Sequence, residues 1–107
     1  MNKPESLGQF EQLVLTAAYL LRGEGYSVNI TDKVNEMAPK RVMLGAVYVS
    51  LDRLESRGLV SSWFADPTPE RGGKAKRYFK VTPAGESALG QMRATAQLLI
   101  DALGDLA

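Results

Sequence analysis

The chain has 107 residues, a net charge of +1, no cysteine and no histidine. Those two absences exclude disulfides and thiolate metal sites, and they remove the usual general base at neutral pH. The length and a hydrophobic content of 45% fit one small domain with a modest core.

No stretch approaches the ~20 apolar residues that span a bilayer, and the opening MNKPESLGQ lacks the apolar centre of a signal peptide. A soluble, cytoplasmic protein with no membrane partner is the expectation. With neither His nor Cys, and with acids scattered without a paired or metal-ligand spacing, no catalytic site, metal or cofactor is expected.

Residues 8–22 read as the first helix. Leu7, Phe10, Val14, Ala17 and Leu21 follow a 3,4 spacing, and Leu13, Leu15, Ala18 and Leu20 widen the apolar surface. So wide a surface predicts burial on two sides, against the domain body and against a partner. Gly23 and Gly25 are expected to end this helix through positive φ.

The second helix runs from about residue 27 or 28 to 37, with Ile30, Val34 and Met37 inward. Ser27, Asn29 and Thr31 are all candidate caps, and Pro39 closes the segment. The third helix covers about residues 44–57 and is expected to bury Leu44, Val47, Leu51 and Leu54. Its other side shows Gly45, Ala46, Val49, Ser50, Arg53 and Arg57, and Gly58 with Leu59 suits a left-handed C-terminal cap. A helix with small residues first and cationic ones later fits a major groove about 12 Å wide.

Residues 59–65 and 75–81 read as paired strands joined by DPTPERGGK, an exposed loop by its Pro and Gly content. Trp63 is read as packing on the hairpin. Thr82 and Pro83 then open the last helix as cap and first residue. Along it Leu89, Met92, Ala96, Leu99, Leu103 and Leu106 recur at 3,4,3,4,3, an a/d seam that predicts homodimerisation together with Phe10, Val14 and Ala17 of the first helix.

Charge supports a nucleic-acid reading. Residues 40–80 hold nine of the 13 Lys and Arg and four of the 12 acids, a net of +5 against −4 elsewhere. Lys40, Arg41, Arg71, Lys74, Lys76 and Arg77 are the candidate phosphate contacts, with Gly72 and Gly73 allowing close backbone approach. Gly45 permits similar approach at the helix start, and Val49, Ser50 and Arg53 are the base-edge candidates. Tyr48 borders both faces, so its ring can pack while its hydroxyl reaches a phosphate. Against this, Arg53 and Arg57 have local acids available in Asp52 and Glu55.

The stretches VMLGAVYVSLDRLESRGLV and PTPERGGKAKRYFKVTPAGESAL, with the opening LGQFEQLVLTAAYLL, resemble the PadR family of bacterial winged-helix transcriptional regulators. The resemblance implies a mainly α fold with a small β-hairpin, a winged helix-turn-helix of order αααββα. Residues 7–82 would form the DNA-binding core and residues 83–107 a C-terminal dimerisation helix.

It also implies a homodimer on a double-stranded DNA operator, often a repressor, with a small-molecule effector held near the first and last helices. Two positions depart from the family pattern. Met43 stands where a Ser-type cap is common, at a cost of ~1 kcal/mol, and Val49 stands where Thr or Pro is frequent. A protein-interaction module and a ligand sensor without strong operator binding remain alternatives on the residues alone.

Overall fold

The structure is a computed structural model and describes residues 7–65 and 75–106. Helix α1 (Gln9–Leu20) leads through a two-residue strand β1 (Gly25–Tyr26) into α2 (Ser27–Met37) and α3 (Leu44–Ser56). Strands β2 (Val60–Phe64) and β3 (Arg77–Val81) follow, then α4 (Pro83–Leu103). The strands form one antiparallel sheet in the order β1-β3-β2. This is the predicted mainly helical winged-helix architecture with one addition, because β1 supplies a third strand that its length hides from sequence patterning.

The core lies where α1, α2 and α3 meet the inner face of the sheet. Leu15, Ile30, Leu51, Leu54 and Phe79 are its largest fully buried side chains. Val14 and Ala17 belong to this core too, at 0% exposure each. They were expected to meet a partner chain, and that expectation is corrected. The 3,4 spacing of α1 turns both toward α2 and α3, and its outward apolar residues are Tyr19 and Leu20. Phe10 is half-buried beside the same core.

Turns are held by contacts between distant groups. After α1, Arg22 and Gly23 take the positive φ (51° and 84°). Gly25 does not, and it is glycine for lack of room, since an added Cβ would lie 2.9 Å from Ile30 Cγ1. Asn29 accepts the Tyr26 N–H at 2.7 Å and so closes the start of α2.

Between α2 and α3, Asn35 Oδ1 accepts the Val42 N–H at 2.7 Å and its Nδ2 donates back to Val42 O at 3.4 Å. Val42 is thereby held against the core. It takes the place expected for Leu44, which is instead 46% exposed.

Helix α3 ends in a Schellman turn. The Leu59 N–H reaches Leu54 O and the Gly58 N–H reaches Glu55 O, both at 2.9 Å, with Gly58 at φ 76°. The same turn receives α4. The Thr82 N–H donates to Leu59 O at 3.0 Å, Thr82 Oγ1 donates to Gly58 O at 2.6 Å, and the Gly85 N–H donates to Thr82 Oγ1 at 3.1 Å. Gly85 is buried against this turn, where an added Cβ would lie 2.1 Å from Leu59 O.

The first half of α4 packs on the core through Ala88 and Leu89. Beyond Met92 every described residue is exposed. The helix stops at Leu103 because Gly104 turns to φ 43°, so Leu106 lies past its end rather than on a continuing seam.

Gly→Ala replacements should therefore have opposite signs at two helical sites. Gly85→Ala should destabilise by about 1–3 kcal/mol or more through overpacking against backbone. Gly45→Ala, with nothing within 4 Å of the added carbon, should stabilise by about 0.5–1 kcal/mol. Urea unfolding of the two variants beside wild type measures both.

Candidate nucleic-acid interface

Helix α3 buries Val47, Ser50, Leu51 and Leu54 and turns Gly45, Ala46, Tyr48, Val49, Asp52 and Arg53 to solvent. Val49 is 51% exposed. Ser50 was expected among the reading residues, and this too is corrected. Its place at the i+3 position from Val47 puts it inward, and its Oγ is buried without a hydrogen-bond partner among the described residues.

The helix starts at Met43, whose side chain makes no cap. Among the described residues no side chain caps the amides of its first turn. Lys40 and Arg41 are exposed in the turn just before it. Arg53 makes no ion pair among the described residues. On the side of α3 facing α1, the residues Gly45, Ala46, Val49 and Arg53, with Ser50 at its floor, form one wall of an open groove, and Gly8 to Glu11 form the other.

The hairpin approaches α3 from the opposite side, and its first contribution is Arg77. The expectation for this cation was a phosphate contact. Its side chain is only 18% exposed and is engaged on every nitrogen. Nη1 donates to Tyr48 Oη at 2.6 Å and to Asp52 Oδ1 at 3.1 Å. Nη2 donates to Glu55 Oε1, and Nε donates to Ser62 Oγ at 3.1 Å. The guanidinium also stands 4.9 Å from the centre of the Phe79 ring.

Asp52 and Glu55 are thus neutralised from the hairpin rather than by Arg53 or Arg57. Arg57 pairs with Glu11 of α1 at 3.1 Å. The Tyr48 hydroxyl, expected at a phosphate, accepts from Arg77. None of these pairings is visible in sequence, where Arg77 lies 22 to 29 positions from its partners on α3 and Arg57 lies 46 from Glu11.

The outer face of the sheet carries an aromatic row. Tyr26, Tyr78 and Trp63 are cross-strand neighbours, with Trp63 stacked on Tyr78 at 6.1 Å and Tyr26 edge-on to it at 5.7 Å. Lys76 lies 3.9 Å above the Tyr26 ring, a cation–π contact that anchors its stem beside the hairpin. The remaining wing candidates, Arg71, Gly72, Gly73 and Lys74, lie outside the described residues.

No metal-holding cluster of acids is present among the described residues, and no described helix is long and apolar enough to cross a membrane. Taken together, an outward helix face with an exposed arginine, a cationic turn before it and a hairpin clamped beside it can contact an extended polyanion.

Comparison with known proteins agrees with that geometry. The profile of the transcriptional regulator PadR-like family matches residues 17–91. Among solved structures, a PadR-like transcription factor from Bacteroides fragilis is 30% identical, with 94% of this chain and 91% of that one covered and a TM-score of 0.74. A PadR family transcriptional regulator from Eggerthella lenta is 26% identical over 91% of this chain and 80% of that one, with a TM-score of 0.71. A PadR family transcription regulator from Clostridium difficile shares the fold at 20% identity, over 90% of this chain and 95% of that one, with a TM-score of 0.74. No curated protein matches the chain.

The Arg77 network has a defined acid limit. The Ser62 hydroxyl, and after it Arg77, hold the Glu55 carboxyl below its ordinary value of 4.5 against the opposing effect of burial. A carboxyl depressed in the folded state stabilises above its unfolded pKa and loses that contribution as pH falls through the folded one. Urea midpoints should therefore show no Glu55 contribution to pH dependence between pH 7 and about 5. Below about pH 4.5 wild type should lose stability more steeply than Glu55→Gln.

Proposed function

Because the chain belongs to the PadR-like family of transcriptional regulators, we propose that it acts as a homodimeric, sequence-specific DNA-binding repressor. The observation that carries the DNA reading is the outward face of α3, where Arg53, with no ion pair among the described residues, and exposed Val49 and Gly45 lie together behind the cationic turn of Lys40 and Arg41. That face enters the major groove. Arg53 and Val49 then read base edges, while Lys40, Arg41 and the open amides at Met43 meet phosphates.

The hairpin, with Lys76 and the loop residues Arg71, Gly72, Gly73 and Lys74, follows the adjacent backbone. Ser50 and Arg77 are left out of the contact set because one is buried and the other is engaged within the protomer.

Dimerisation is supported by the distal half of α4. Leu99 and Leu103 are 59% and 57% exposed on the half of α4 beyond its packing against the core, and Ile100 beside them is 61% exposed. So large an apolar surface marks a protein interface. Leu89, Met92, Ala96, Leu99 and Leu103 supply the seam from α4. On α1 the exposed Tyr19 and Leu20 replace Val14 and Ala17. An effector fits the groove between α1 and α4, lined by Thr16, Tyr19, Leu89, Met92 and Arg93, where occupancy would alter the spacing of the two reading helices.

Two measurements check this reading. A duplex selected from random sequences should bind with a log affinity that falls linearly with log salt. Replacing both Lys40 and Arg41 by Ala should flatten that slope by about 2, at ~0.9 per phosphate contact. An unchanged slope would place these cations outside the interface. Sedimentation should show a wild-type dimer and a folded Leu99→Asp/Leu103→Asp monomer. A dimeric double variant would put the interface elsewhere.

A further inference from the structure

We propose that Arg77 is a positioning residue for DNA binding, a strut that fixes the hairpin at one angle to the recognition helix through Glu55, Asp52 and Ser62. This rests on the DNA-binding reading above and concerns a cation that the charge pattern alone assigns to phosphate.

The geometry sets Arg77 apart from the exposed Lys40, Arg41 and Arg53. It leaves β3 at the row where Phe64 pairs with it and reaches across to two consecutive turns of α3, touching Tyr48, Asp52 and Glu55. Ser62, on the neighbouring strand, completes a closed ring. Its Oγ accepts from Arg77 Nε at 3.1 Å and donates to Glu55 Oε2 at 2.7 Å. One planar guanidinium thus joins two strands to one helix, and its forked donors fix orientation as well as distance. Lysine, with a single ammonium, cannot reproduce that fork.

Two acids on a DNA-facing helix would ordinarily oppose binding. Here Glu55 and Asp52 are the anchors of the strut, so their cost in repulsion is offset by a hairpin that arrives at the duplex already oriented. The positioning role therefore predicts a sign opposite to that of simple electrostatics. Removing Glu55 deletes a negative charge near DNA and releases one of the Arg77 guanidinium nitrogens, Nη2. If Arg77 acts only as a cation, affinity rises. If it acts as a strut, affinity falls.

The test measures affinity for one selected duplex at fixed salt for wild type, Glu55→Ala, Ser62→Ala, Arg77→Ala and the Glu55→Ala/Arg77→Ala double variant. Ser62→Ala changes no charge and removes only a half-buried hydroxyl, so it retains the fold. Circular dichroism of each variant confirms helix content.

Glu55→Ala is expected to weaken binding on the order of tenfold and Ser62→Ala by a smaller factor in the same direction. The double variant should be little worse than Arg77→Ala alone, as coupled partners require. Equal or tighter binding by both Glu55→Ala and Ser62→Ala, or additive losses in the double variant, overturns the proposal while leaving the DNA reading intact. A wild-type chain that retains no duplex at low salt overturns both.

Discussion

Two consecutive peptide units, Gly58–Leu59 and Leu59–Val60, hold four elements in register. They end α3 through the Schellman hydrogen bonds and begin β2. Gly58 O accepts the Thr82 hydroxyl and Leu59 O the Thr82 amide at the end of β3, and Leu59 O lies under Gly85 at the start of α4. Only a left-handed Gly58 can make the turn, and only a residue without Cβ can pass over it. Helix α3, the β2–β3 pair and α4 therefore share a common origin, and movement of one at this point must move the others.

That dependence explains which parts of the fold are legible in the sequence. Long amphipathic helices and the strand pair appear as periodicity, and Gly58 and Thr82-Pro83 appear as punctuation. β1 does not, because two residues carry no period. Gly85 is visible as a letter, but its reason, contact with a backbone 26 positions earlier in the chain, is not. Asn35 is silent for the same cause, since its partner Val42 is a main-chain group in another element.

The candidate site is less legible than the fold. A helical wheel resolves faces only to about one residue, so Ser50, Val14 and Ala17 were placed on the wrong side of boundaries that tertiary packing decides. Charge counting has a different blind spot. It registers nine cations in residues 40–80 but not that Arg77 and Arg57 are engaged within the protomer by Asp52, Glu55 and Glu11. Pairing of this kind costs desolvation and returns orientation, so it narrows the outward positive surface to the turn before α3, Arg53 and the hairpin. The field that a polyanion meets is smaller than the net charge implies and better aimed.

The stacked pair at the root of the hairpin has a practical consequence. Trp63 is the sole tryptophan of the chain and lies against Tyr78 with an interplanar angle of 19°. Tryptophan emission thus originates from a single place, on β2, while α1 and α3 carry tyrosine, at Tyr19 and Tyr48, and no tryptophan. Tyr26 and Tyr78, within two ring contacts, can pass excitation to it. Disturbance of this stack will change the Trp63 emission, and the protein needs no attached dye to report it.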